Sequence, residues 1–314
     1  ASTIEDTSAG PIAAWFGGTH EKHPDVGIWV SAYRDGKWSV PVEVANGKGA
    51  GPGGSQLPTW NPVLFQPKKL QDGKLQPIYL FYKVGPSPET WWGMEIRSFD
   101  QGKTWTKPLR LKEGFLGPIK NKPIELENGD WLCPTSSETE EEPSKWQVYF
   151  ERFEYEARKW TKTPLLNDGV EIQAIQPTIL RLGSGRVKAI GRSRQNKIFE
   201  TLSDDEGKTW TPMSLGTLPN NNSGLDALTL KDGRHLVVYN HIGGTPGQWG
   251  GKRTPLNVAV SKDSSTWTPL VVLENTPGEF SYPAVIQSSD GLVHITYTWN
   301  RKKIKHVVLD PSKL

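Results

Sequence analysis

A chain of 314 residues with a formal charge of +3 and no run of Lys or Arg lacks the clustered basic footprint of a nucleic-acid binder. No stretch approaches the roughly 18 apolar residues of a membrane-spanning helix, and the single cysteine, Cys133, excludes an intramolecular disulfide framework. Gly and Pro, at 32 and 25 residues, fit a turn-dense β protein, and 14 Trp supply faces for sheet packing or for stacking on sugar rings.

From its first residues the chain reads strand, turn, strand. Thr7-Ser8-Ala9-Gly10 is the first turn, followed by Gln71-Asp72-Gly73, Glu127-Asn128-Gly129, Gly183-Ser184-Gly185, Lys231-Asp232-Gly233 and Ser289-Asp290-Gly291. The glycines at 10, 73, 129, 185, 233 and 291 stand 48 to 63 residues apart, each with β-rich sequence on both sides. A near-fixed period of this size marks a repeat architecture. Six units without a Pro/Ser linker or charge block predict one domain over 1–314, an all-β six-bladed β-propeller. Ala1 opens directly in the first strand, so the N-terminus reads as trimmed or processed. A removed export signal, with secreted or periplasmic placement, fits that reading.

A second motif runs in phase with the first. Ser98-Phe99-Asp100-Gln101-Gly102-Lys103-Thr104-Trp105 and Ser203-Asp204-Asp205-Glu206-Gly207-Lys208-Thr209-Trp210 share the pattern Ser-x-Asp-x-Gly-x-Thr-Trp. Degenerate copies stand at Asp35-Gly36-Lys37-Trp38, Arg158-Lys159-Trp160 and Ser261 to Trp267. The Asp accepts backbone N–H bonds, the Gly takes positive φ, and the Trp packs between sheets. This is the Asp-box, or BNR repeat, a structural staple between the third and fourth strands of a blade. The last blade ends at Ile304 to Leu309 without one, so its fourth strand is expected from residues at or before the N-terminus.

The innermost strands are entered at Ser2-Thr3, Trp60-Asn61-Pro62-Val63, Lys120-Asn121-Lys122-Pro123, Ile175-Gln176-Pro177, Ser223-Gly224-Leu225-Asp226 and Ser281-Tyr282-Pro283-Ala284. Proline cannot donate to a ladder and marks strand starts, so the polar residue before it is poised at a rim. Asn, Lys, Gln, Asp and Tyr converging there suit a polar ligand.

The Asp-boxes, together with Trp15 to Trp29, Trp60 to Phe65, Gly117 to Pro123 and Ser281 to Gln287, resemble the sialidase (neuraminidase) superfamily and its BNR-repeat branch over nearly the whole chain. That resemblance implies a sialidase-like propeller, an arginine clamp for the substrate carboxylate, a Tyr nucleophile activated by a Glu, and an Asp acid/base in the first blade. By position it assigns Asp25 as acid/base, Tyr282 as nucleophile, and Arg192 and Arg253 as two clamp arginines. His20, Asn61, Lys122, Asp226 and His241 would complete the substrate pocket. Two departures stand out. Ala1-Ser2-Thr3 replaces the Arg-Ile-Pro opening that carries the first clamp arginine, and Gln176 occupies the place of the activating Glu, with Glu171 five residues earlier.

The chemistry explains these residue types. A guanidinium pairs bidentately with the carboxylate on an anomeric carbon, and that carboxylate would repel a carboxylate nucleophile, whereas a neutral Tyr avoids the clash. Asp25, if shielded from water, would gain a raised pKa suited to a general acid. A cation such as Lys120, Lys122 or His241 would favour the phenolate of Tyr282 in the absence of a Glu. These residues predict a retaining exo-glycosidase acting on a terminal acidic sugar of glycans. Two alternatives stand beside it. Tyr282, Arg253, His241 and His20 also suit β-elimination from a uronic acid. Trp91-Trp92-Gly93 and Trp249, in the Gly243 to Gly251 loop, suit a carbohydrate-binding propeller without catalysis. His20, Glu21, His23 and Asp25 superficially resemble a ligand cluster but lack partners at metal-site spacing, so no metal and no other cofactor is expected.

Overall fold

A computed structural model describes residues 1–71, 73–245 and 250–314. The turn residue Asp72 and the proposed stacking residue Trp249 lie outside the described residues. Six antiparallel sheets follow one another along the chain. The first contains β1 (Ser2–Thr7), β2 (Gly10–Gly17) and β3 (Gly27–Arg34), with β4 (Lys37–Trp38) and β5 (Val42–Ala45) both paired to β3. The second runs β6 (Thr59–Phe65), β7 (Ile78–Val84), β8 (Trp92–Ser98), β9 (Leu109–Arg110). The third runs β10 (Ile124–Glu125), β11 (Trp131–Glu138), β12 (Trp146–Glu154), β13 (Lys159–Lys162). The fourth runs β14 (Ala174–Gly183), β15 (Arg186–Ser193), β16 (Lys197–Ser203), β17 (Ser214–Pro219). The fifth runs β18 (Asp226–Thr229), β19 (His235–Asn240), β20 (Leu256–Ser261), β21 (Thr268–Glu274). The sixth runs β22 (Phe280–Gln287), β23 (Val293–Trp299), β24 (Lys303–Leu309). It has three strands among the described residues, where the sequence predicts a fourth from the N-terminus.

All six turn glycines take positive φ, from +73° at Gly73 to +102° at Gly10, and each joins the first strand of its sheet to the second. A side chain at these positions would be strained, which is why the turns recur as glycine. The Asp-boxes also fold as the sequence predicts. In the copy between β8 and β9, Asp100 accepts from Ser98 Oγ (2.9 Å), Thr104 N (2.8 Å) and Thr104 Oγ1 (2.6 Å). Asp205 repeats the pattern between β16 and β17 at 2.8, 2.8 and 2.6 Å. The box Trp then packs inward: Trp210 stacks on Phe150 with centroids 4.1 Å apart, and Trp160 is ringed by Phe81, Phe115 and Phe153.

The chain divides into two compact units, Ala1–Thr135 with Glu151–Thr161, and Ser136–Phe150 with Lys162–Leu314. In the first unit, two apolar clusters form among the described residues. One packs Ile12, Ile28, Leu64, Leu80 and Ile96, the other Val63, Phe81, Trp131 and Cys133. In the second unit, Leu180, Leu225, Val237 and Tyr239 form one cluster and Leu236, Val258, Val285 and Ile295 another. Alternation along each strand sends successive side chains to opposite faces, so the second sheet feeds both clusters of the first unit and the fifth sheet both clusters of the second. Each fully buried aliphatic side chain contributes about 1.5–3 kcal/mol.

Candidate functional site

An antiparallel meander places the start of its first and third strands and the end of its second at one edge. In the second unit this geometry gathers the starts of β14 and β22, the end of β15, and the segment entering β20. Gln176, Tyr282, Arg192 and Arg253 occupy those four places.

Two of these residues sit on β-bulges. The register of β14 with β15 shifts between Ile175 and Thr178, and that of β22 with β23 between Ser281 and Ala284. At each shift the residue before proline turns left-handed, Gln176 with φ +56° and Tyr282 with φ +50°. Asn61 repeats the device in the first unit, with φ +35° at a shift between Trp60 and Val63. The proline has no N–H to give the ladder, and the bulge re-aims the side chain before it. Holding a non-glycine residue there costs about 1–3 kcal/mol, a strain typical of functional positions.

Around Tyr282 the contacts are specific. Arg192 Nη1 donates to the phenol oxygen at 3.5 Å, and the Arg253 guanidinium lies 4.9 Å from the ring centroid. Gly224 passes beside the same ring: a Cβ there would stand 2.8 Å from Tyr282 Cδ1 and 3.4 Å from Gln176 Oε1. Tyr282 and Gln176 therefore share the space that the missing side chain leaves. Arg192 is only 7 % exposed, stacks over Trp146 with Cζ 4.9 Å from the ring centre, and keeps its buried Nε without a hydrogen bond among the described residues. Arg194, just past the end of β15, also lies over Trp146, its Cζ 4.1 Å from the ring centre, and donates to Gln173 Oε1 at 2.6 Å. Burial pushes the Arg194 pKa down, Glu138 pulls it back up, and the charge of Arg192 depresses it further.

Arg253 Nη1 also makes no hydrogen bond among the described residues, and its nearest carboxylate, Glu279 Oε1, is 3.9 Å away. Glu279 is held instead by Arg301. Two arginines thus stand beside Tyr282, one at its hydroxyl and one over its ring.

Two further expectations for this unit change. Asp226 is 2 % exposed and not a rim ligand. Its Oδ1 accepts from Thr178 Oγ1 (2.8 Å) and Ala227 N (2.9 Å), and its Oδ2 from Val285 N (2.9 Å), so it ties β14, β18 and β22 together. His241 Nδ1 forms a short hydrogen bond with the hydroxyl of Tyr239, a phenol whose pKa burial raises well above its ordinary value.

In the first unit, Asp25 and His20 lie in the loop between β2 and β3. Asp25 accepts from Thr19 Oγ1 (2.6 Å) and Thr19 N (3.0 Å) and pairs with His23 Nδ1 at 2.7 Å. These bonds, led by that of the Thr19 hydroxyl, hold its pKa down to about 2. The expected shielding and raised pKa are not found, because the carboxylate is exposed and satisfied by its own loop. His20 is exposed, with Nδ1 2.9 Å from Glu21 O. The loop is anchored through Val26 O, which accepts from Thr59 N and Oγ1, two residues before Asn61. Trp60 donates to Gly85 O and meets Trp91 edge-on at 5.8 Å, while Trp92 carries Arg110 over its ring. Lys122 is half-buried just before β10, next to Lys120 and Asn121, which bond each other. No group of three His, Cys, Asp or Glu among the described residues is placed to hold a metal ion, and no helix is long and apolar enough to cross a membrane.

Residues 11–295 match the family model described as BNR repeat-like domain. Among solved structures, the leech intramolecular trans-sialidase complexed with 2,7-anhydro-Neu5Ac is 14 % identical with a TM-score of 0.76, covering 100 % of this chain and 68 % of that one. The intramolecular trans-sialidase of Ruminococcus gnavus, in complex with oseltamivir carboxylate, is 13 % identical at TM-score 0.74, covering 100 % and 94 %. A protein of unknown function from Dyadobacter fermentans is 17 % identical at TM-score 0.73, covering 98 % and 92 %. No curated protein matches. Identities this low speak to the fold, an all-β, six-bladed β-propeller of sialidase type.

Proposed function

The chain belongs to the family of BNR repeat-like domains, and from that premise we propose that it is a sialidase-type glycoside hydrolase acting on a terminal acidic sugar. One observation carries the reading. Arg192 is a buried guanidinium without an acidic partner among the described residues, its Nη1 3.5 Å from the hydroxyl of Tyr282. A buried cation without a counter-charge is costly, and a visiting anion removes the cost.

In this reading the sugar carboxylate lies between Arg192 and Arg253, which brings the anomeric carbon to the phenol oxygen of Tyr282. The phenol is neutral and does not repel the carboxylate as it attacks. Gln176 orients the hydroxyl but cannot take its proton, so in this reading the proton passes to solvent as the bond to the anomeric carbon forms and the bond to the leaving oxygen breaks, and the two guanidiniums stabilise the negative charge left on the phenol oxygen as its proton departs. The family likeness gives the acid/base role to Asp25. That role requires the bonds of Thr19 and His23 to be exchanged for the leaving-group oxygen, which releases the groups that hold the carboxyl down. Bound glycan is thus the partner, and no cofactor enters.

Gln176 in place of a Glu also favours a second reading, β-elimination, in which an arginine neutralises a uronate carboxylate and Tyr282 handles the C5 proton. A panel of sialylated and uronate-bearing oligosaccharides separates the two by product mass. Gain of one water marks hydrolysis, and a conjugated double bond without added water marks elimination. Arg192→Ala and Arg253→Ala are each expected to lower kcat/KM on the cleaved acidic glycan by about 10²-fold or more. Unchanged turnover in both variants would remove the clamp from the mechanism.

A further inference from the structure

Glu279 faces two arginines and is bonded by Arg301, while Arg253 lies over the Tyr282 ring. Arg301 Nε donates to both of its oxygens, at 3.0 and 2.9 Å, and Ser281 Oγ donates to Oε1 at 3.2 Å. Arg253 Nη1 is left at 3.9 Å from the same Oε1, outside hydrogen-bond range, with no other hydrogen bond among the described residues.

The backbone enforces this choice. Asn300 N donates to Glu279 O (2.7 Å) and Glu279 N donates to Asn300 Oδ1 (2.8 Å), fixing the segment before β22 to the hairpin turn between β23 and β24. In that turn both Asn300 and Arg301 are left-handed, with φ +51° and +52°. Asn tolerates this conformation. A long side chain such as Arg does not favour it, and the strain is retained only because the surroundings over-determine it. Arg253 is fixed to the same segment, because its carbonyl accepts from Phe280 N at 2.9 Å.

We infer that Arg301 is a positioning residue that keeps Glu279 from neutralising Arg253, so that the Arg253 guanidinium stays available for the carboxylate of a ligand. The trio of Arg253, Glu279 and Arg301 carries one net positive charge. While Arg301 holds both oxygens of Glu279, that charge resides on Arg253, over the Tyr282 ring. Without Arg301 the carboxylate closes on Arg253 and becomes an internal competitor of the substrate. Burial pushes Glu279 up, but the Arg301 hydrogen bond and the charges of Arg301 and Arg253 hold it below its ordinary value, so the competitor is ionised at neutral pH. This role rests on the carboxylate clamp proposed above and adds the element that sets its affinity for acids.

The test is a four-member cycle of wild type, Arg301→Gln, Glu279→Gln and the double variant, with binding of N-acetylneuraminic acid read by calorimetry and thermal unfolding read alongside. Arg301 is half exposed, so its replacement leaves the fold intact. Arg301→Gln is expected to weaken binding on the order of tenfold, the worth of a charge-assisted pair lost to competition. Glu279→Gln in the Arg301→Gln background is expected to restore it to within about threefold, as only removal of a competitor can. Wild-type affinity in Arg301→Gln, or a double variant as weak as the single, overturns the role while leaving the clamp standing. If Arg253→Ala binds as wild type does, or wild type does not bind, the clamp itself falls and this role with it.

Discussion

Tyr282 is defined by what crowds it. Arg192 reaches its oxygen, Arg253 lies over its face, and Gly224 leaves room for its edge. Gly224 does not need glycine for its backbone angle; it needs the absence of a Cβ. Gly224→Ala places a methyl 2.8 Å from the ring, so the ring must shift from its place beside Arg192 and Arg253. Turnover of the acidic glycan is expected to fall on the order of 10²-fold, as misplacement of a reacting group by about 1 Å does, with stability reduced by no more than about 3 kcal/mol. Full activity in that variant would show that the ring position is not required. The sequence makes Arg192, Arg253 and Tyr282 legible because each keeps its phase relative to the strands around it. It does not reveal Arg194, Glu279 or Gly224, whose partners come from other strands and loops. Nor does it reveal that Asp226 is consumed by Thr178 and Val285, because that depends on three strands lying side by side.

The strand–turn–strand and Asp-box elements are legible almost residue by residue, since each is closed by local bonds. In the copy at 203–210, Asp205 accepts from Ser203, Lys208 and Thr209, while its neighbour Asp204 is exposed and pairs with Arg186. Asp205→Ala leaves several donors without their acceptor and is expected to cost about 1–3 kcal/mol. Asp204→Ala is expected to stay within about 0.5 kcal/mol. Urea unfolding of the two variants checks the contrast, and equal midpoints would contradict the staple. The bulges at Asn61, Gln176 and Tyr282 are half legible. Proline marks the strand start in the sequence, but the left-handed turn of the residue before it does not follow from the proline, which biases that residue toward extended backbone. Register with the neighbouring strand overrides that bias.

At the scale of the molecule, acid acts in two steps. His306 stacks on His294, and burial together with the charge of His294 lowers its pKa from 6.5 to about 4. The unfolded chain therefore binds more protons in that window, and stability is lost as pH falls from about 6.5 to about 4. The Asp-box carboxylates Asp100 and Asp205, held at about 2 against an ordinary 3.8, add a second loss below pH 4. Urea midpoints measured against pH are expected to show both steps, with His306→Gln flattening only the upper one; an upper step unchanged in that variant would assign it elsewhere. The six-sheet architecture was readable from glycine spacing because it is a repeat, whereas the exposure of Asp25 was not, because its loop satisfies the carboxylate with Thr19 and His23. The central claim, a phenol nucleophile beside an arginine-held carboxylate, is tested most directly by trapping. The protein is treated with a fluorinated glycosyl fluoride of an acidic sugar, digested, and its peptides weighed. The account predicts one added glycosyl group on the peptide carrying Tyr282, absent in Tyr282→Phe and in Arg192→Ala. Turnover of acidic glycans with no adduct on Tyr282, or with the adduct on another residue, would contradict it.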